Sequence, residues 1–150
     1  MIATELARAL RDSGLKWRPK AGDAFRIDRV EVESDIFILS DMTVEAHEFT
    51  TGTVLGFNGT TEWALDSVDI GDTLWMPHES QLRELLRASF RGLTATDDGF
   101  SVTAVIDGDL REFESAVAAD AYARALIAYI DASIGDQLPE VENEFPTPGD

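Results

Sequence analysis

The chain has 150 residues, enough for one sizeable core, and its 44% hydrophobic and 9% aromatic content fits a globular protein rather than a disordered one. Its 29 acidic against 12 basic residues give a net charge of -17, a field that repels phosphate backbones and anionic membrane surfaces and so excludes ordinary nucleic-acid binding. There is no cysteine, which removes disulfides, thiolate metal sites and cysteine nucleophiles together.

The first predicted element is a helix over Thr4 to Ser13, with Leu6, Ala7 and Leu10 on one apolar stripe and Thr4 as its cap. Gly14 suits the left-handed position after the last turn, and Leu15 is placed to touch Leu10. This N-terminal stretch lacks the apolar run of a signal peptide, and no run approaches the roughly 20 residues of a membrane span. The expectation is a soluble cytoplasmic protein. A loop punctuated by Pro19 and Gly22 follows, with Trp17 inside it.

From Phe25 to Asp66 the pattern changes to strands rich in β-branched and aromatic residues. Asn58-Gly59 lies between two such runs and predicts a hairpin that delivers Trp63 to the core, because both turn residues need positive φ. The competing reading makes residues 60–68 a short helix capped at Thr60. Asn58-Gly59-Thr60 also matches a glycan acceptor, but nothing here points to the secretory route which that needs.

The second helix is expected from about His78 to Ser89, with Leu82, Leu85, Leu86 and Phe90 as its core stripe and Gly92 as its end. Asp107-Gly108-Asp109 centres a second hairpin. The last helix runs from about Ala116 to Ile134, capped by Ser115 and stopped by Gly135, with Tyr122, Leu126, Tyr129, Ile130 and Ile134 on one side. Residues 136–150 carry acidic residues, prolines and no basic residue, and read as a flexible tail. The sum is a single α+β domain over residues 1–135, an antiparallel meander plus a C-terminal hairpin packed with three helices.

The chemistry the residues allow is narrow. Neither Lys16 nor Lys20 follows a glycine and no G-x-G-x-x-G occurs, which excludes P-loop ATPase activity. Glu45 and His47, two apart in an expected strand, share a face with Asp41, a weak metal-binding or hydrolase-like set. The plainer reading is a solvated strand face. His78 beside Pro77 reads as a first-turn residue rather than a ligand, and Asp97-Asp98 before Gly99 as a turn. No cofactor is implied. Trp17 and Trp75, both read as loop residues, are the candidate contacts for a partner, against the simpler view that each anchors its loop to the core.

Four stretches carry a resemblance. "GLKWRPKAGDAF", together with "FNGTTEWALDSV", "LWMPHESQLRELL" and "DAYARAL", resembles a group of short acidic actinobacterial proteins labelled as pilus assembly proteins of the CpaE type, over most of residues 14 to 130. The second half is also similar to small phage-borne proteins. ATPases that carry the pilus label depend on a P-loop, which is missing here, so the resemblance implies no catalytic residue. The sequence thus points to a non-enzymatic interaction module that meets a protein partner or forms a homodimer, with no nucleic-acid and no membrane partner. Two alternatives stand beside it: a metal or hydrolytic site at Asp41, Glu45 and His47, and an acidic inhibitor that mimics a polyanion against a basic protein.

Overall fold

A computed structural model describes residues 1–29, 32–39, 44–49, 52–57 and 67–144. Helix α1 (Thr4–Asp12) is followed by strands β1 (Ala24–Arg29), β2 (Val32–Ile38), β3 (Val44–Phe49), β4 (Gly52–Phe57), β5 (Ser67–Asp69) and β6 (Thr73–Trp75). Then come α2 (Glu79–Leu86), β7 (Phe90–Thr96), β8 (Gly99–Ile106), β9 (Asp109–Ser115) and α3 (Ala118–Glu144). The fold is α+β. Its described strands form three antiparallel three-stranded sheets, ordered β2-β1-β6, β3-β4-β5 and β7-β8-β9. The chain groups into two compact units, one made of Met1–Leu15 with Glu79–Asp150, the other of Lys16–His78.

In the first unit α3 packs across β8 and β9, while α1 and α2 pack against α3. Strand β8 shows why. Val102, Ala104 and Ile106 alternate toward the helices and are buried. On α3, Ala118, Ala119, Ala121, Ala123 and Ala125 are buried beside Tyr122 and Leu126. Small side chains on several sides of one helix let its neighbours approach closely. Leu82 and Leu86 of α2 are fully buried, and each removes enough apolar surface from water to contribute about 1.5–3 kcal/mol.

The helix ends depart from expectation in instructive ways. Helix α1 has Ala3 at its N-cap with no side-chain cap bond, so Thr4 is the first helical residue rather than the cap. The Ala3 N–H instead donates to Asp120 Oδ1 of α3 at 2.7 Å, a tertiary substitute for a local cap. Its C-terminus follows the sequence: Gly14 has φ 115, Leu15 N–H donates to Leu10 O, and Gly14 N–H to Arg11 O, the paired bonds of a Schellman ending. Helix α2 stops at Leu86, before Gly92, because Arg87 takes φ 54 and the Ser89 hydroxyl donates to the Leu86 carbonyl at 2.6 Å. A 3-10 turn, Arg87–Ser89, leads into β7, and Gly92 lies inside that strand. Ser115 ends β9 rather than capping α3.

Helix α3 runs through Gly135 and Pro139 to Glu144, past the expected stop. A lone glycine costs only about 1 kcal/mol in a helix, whereas Pro139 costs about 3 kcal/mol or more, because it lacks the bond to the Gly135 carbonyl and its ring crowds that carbonyl. The expected tail thus begins as helix, and residues 145–150 lie outside the described residues.

In the second unit β1 is the central strand of its sheet, paired with β2 on one side and β6 on the other. Phe25 is fully buried and faces Phe37 across one ladder and Trp75 across the other. The two ends of this unit meet: Met76 N–H donates to Ala24 O at 2.9 Å, and His78 Nε2 lies 3.1 Å from Gly22 O. The Asn58-Gly59 turn, Thr60 and Trp63 lie outside the described residues.

Candidate interaction surface

The motif around Trp17 resolves into a clamp. Asp23 is 1% exposed, and its Oδ2 accepts the Trp17 indole N–H at 2.9 Å and the Lys20 backbone N–H at 3.1 Å. Gly22 turns the chain at φ 94, which brings the carboxylate back to the indole N–H. The Trp17 ring is tilted against Phe25 at 5.4 Å, and Phe25 against Phe37 at 5.5 Å. Leu39 closes the same cluster, its N–H bonded to Asp23 O at 2.9 Å. The spacing of Trp17, Gly22, Asp23 and Phe25 is therefore what a loop needs to lock onto a sheet. Trp17 is half-buried, with its polar handle committed to Asp23.

Trp75 is a strand residue rather than a loop residue. It sits in β6 at the edge of its sheet, half-buried, opposite Phe25. Its Nε1 is buried and has no partner among the described residues. His78 leans on the Gly22 carbonyl. Of the weak metal set, Asp41 lies outside the described residues, and for Glu45 and His47 the backbone alone is described, in β3 opposite Gly56 and Val54. Among the described residues no group of three metal-binding side chains converges. No helix among them is long and apolar enough to cross a membrane.

The feature that sequence reading passed over is β7. The run "FRGLTAT" is short and weakly apolar, and Gly92 reads there as a helix end. Its signal was the Asp97-Asp98 turn ahead of Gly99, which implies a strand on each side. In the sheet, β7 pairs with β8 on one side and with no strand among the described residues on the other. Between Arg91 and Asp97 its residues carry no charge, and Thr94, Ala95 and Thr96 are exposed. Leu93, on the helix-bearing face opposite Val102, is 39% exposed. The opposite edge, β9, carries Asp109, Arg111, Glu112 and Glu114. Charges along an edge discourage another strand from pairing with it, so β9 is guarded and β7 is not.

The pairing pattern fixes which way the β7 backbone points. Both hairpins have two-residue loops, closed by Thr96–Gly99 and by Ile106–Asp109. In each, the closing pair exchanges hydrogen bonds and the exchange then recurs at every second residue. The even residues of β8 thus bond β9 and its odd residues bond β7, a consistent division. Thr94 and Thr96 bond inward to Ser101 and Gly99, and the N–H and C=O groups of Leu93 and Ala95 point outward from the sheet. No protein-family model matches the chain, and no curated protein and no solved structure matches it.

Proposed function

We propose that the chain is a protein-interaction module without catalytic activity of its own, which takes up an extended segment along the edge of β7 that no described strand occupies. The observation that carries this reading is the contrast between the two edges of one sheet. β7 offers outward main-chain donors and acceptors at Leu93 and Ala95 and no charge from Gly92 to Thr96, whereas β9 is charged along its length. Strand addition draws affinity from main-chain hydrogen bonds and specificity from the flanking side chains.

The test is affinity capture from the source cells with the wild-type chain and an Ala95→Pro variant as baits. Proline removes the outward N–H at Ala95 and is tolerated on a strand edge. An unchanged far-UV spectrum confirms that the variant is folded. The expected result is a bound protein, a second copy included, that is retained by wild type and lost by the variant. The same proteins on both baits would refute the edge as the contact.

A further inference from the structure

We infer that the occupant of the β7 edge is a second copy of this chain, paired antiparallel through β7 with Thr94 on the two-fold axis. The inference rests on the reading of β7 as an interaction edge and goes further by naming partner and register.

The argument begins with charge order. Reading along the strand, Arg91 stands at one end, Gly92 to Thr96 are neutral, and Asp97 stands at the other end. A two-fold rotation about Thr94 sets Gly92 opposite Thr96 of the second copy, Leu93 opposite Ala95, and Arg91 opposite Asp97, each pair occurring twice. The edge is thereby its own charge complement, as an isologous contact requires. A foreign strand would have to supply an acid opposite Arg91 and a base opposite Asp97.

Backbone geometry agrees with this register. Leu93 and Ala95 point their main-chain groups outward, so the Leu93–Ala95 pairs are the ones that exchange hydrogen bonds, and Thr94 meets Thr94 as a non-hydrogen-bonded pair. Leu93 and Ala95 of both copies then share the helix-bearing face and cover the exposed leucine. Helix α3 packs on β8 and β9 and meets β7 at its first residue, where Tyr122 lies 5.7 Å from the Phe90 ring, outside the paired segment. The register shift between Phe90 and Gly92 places Arg91 at a bulge, so main-chain pairing is confined to Gly92–Thr96 and the Arg91–Asp97 contacts are made by side chains alone. The Arg91 guanidinium bonds the Ala88 and Phe90 carbonyls through Nη1 alone, and its other nitrogens can meet a carboxylate. Net charge does not forbid the contact: at physiological ionic strength the screening length is about 8 Å, so repulsion between remote acidic surfaces fades while groups in contact still attract. A contact this narrow falls below the roughly 1,200 Å² of stable complexes, and the dimer is weak.

The absence of cysteine makes the register directly readable. Thr94→Cys places two thiols across the axis, where Cα atoms of a non-hydrogen-bonded pair lie about 4.5 Å apart, within disulfide reach. Under mild oxidation this variant is expected to give a covalent dimer at least tenfold faster than Thr96→Cys, whose two copies sit far from each other in this register. Sedimentation equilibrium supplies the second arm. Arg91→Asp and Asp97→Arg should each weaken self-association about tenfold, because each creates two like-charge contacts. Mixing the two variants should restore it as a heterodimer, because both contacts are then between opposite charges. Equal cross-linking of the two cysteine variants, or no recovery on mixing, overturns the register. A monomeric wild type at high concentration overturns the second copy as occupant. The edge reading survives that outcome if Ala95→Pro still loses a captured protein, and falls with it if the Pro variant captures the same proteins as wild type.

Discussion

Replacing Asp23 with alanine tests whether the tryptophan clamp holds the second unit together. The carboxylate accepts one bond from the Trp17 indole at 2.9 Å and one from the Lys20 N–H at 3.1 Å, from a position only 1% exposed. A hydrogen bond to a charged acceptor is worth about 1.5–3 kcal/mol. Trp17 is half-buried and its N–H regains some water in the variant, so the combined loss is about 3 kcal/mol. The sequence provides two clean reporters. Trp17, Trp63 and Trp75 all lie in Lys16–His78, whereas α1, α2 and α3 all lie in the other unit. Urea unfolding followed by tryptophan emission therefore reads the second unit, and ellipticity at 222 nm reads the first. With a denaturant slope of about 1 kcal/mol/M for a small unit, the emission midpoint should fall by about 2–3 M. Asp23→Asn keeps an acceptor but loses the charge, and should fall about half as far. In a double-mutant cycle with Trp17→Phe, the coupling should be about 1.5–3 kcal/mol. A midpoint shift below about 0.5 M, or additive effects in the cycle, would show that the indole and the carboxylate do not depend on each other.

Other expectations follow from the first unit. A Cβ on Gly99 would meet the Ser115 carbonyl oxygen and lie 2.6 Å from Ala116 Cα, so Gly99→Ala forces backbone apart and should destabilise this unit by about 2–3 kcal/mol. Thermal melts at 222 nm would reveal it, and an unchanged melt would contradict the close approach. Burial raises the Tyr122 phenol above its ordinary value, Glu79 adds to the rise, and the Arg83 guanidinium opposes it. A raised folded value means the native state holds its proton longer than the unfolded chain. That stability is complete below the unfolded value and is lost as pH climbs through the folded one. In the Tyr129→Phe background, absorbance at 295 nm should show Tyr122 ionising above the ordinary tyrosine range; ionisation at or below that range would refute the burial argument. Arg83→Ala should raise the transition further, since it removes the opposing cation, and a downward move would reverse the assigned sign.

How much of this was legible beforehand depends on the range of the forces involved. The Asp107-Gly108 turn was readable because left-handed backbone is sterically cheap only for a few residue types, and both residues take positive φ, at 56 and 86. The Schellman ending at Gly14 was readable for the same reason. Leu82 and Leu86 were assigned to the core from helical spacing alone, and Val102, Ala104 and Ile106 share one face through two-residue alternation. The ends of α2 and α3 were misjudged where glycine was taken as a full stop. Glycine only weakens a helix, and what ended α2 was the Arg87 turn and the Ser89 bond.

The candidate surface was less legible. Trp17 could be weighed between anchor and contact, but its partner Asp23 emerges only once the loop folds back at Gly22. The edge status of β7 is not a property of β7 at all, since it depends on which strands the rest of the chain places beside it.

By itself, then, the sequence determined the turns at Gly14 and Asp107-Gly108, the buried Leu82 and Leu86 of α2, the α+β class and the excess of negative charge, each set by sterics or composition within a few residues, whereas Phe90, expected on the α2 stripe, opens β7, and Ile134, expected on the α3 face, is exposed. Only the tertiary structure decided that Met1–Leu15 joins Glu79–Asp150 across an intervening unit, and that β7 and β9 are the two edges of their sheet. Those outcomes arise from contacts between residues distant in the chain, whose entropy of closure is offset only when the whole unit packs, and no short window of residues records them.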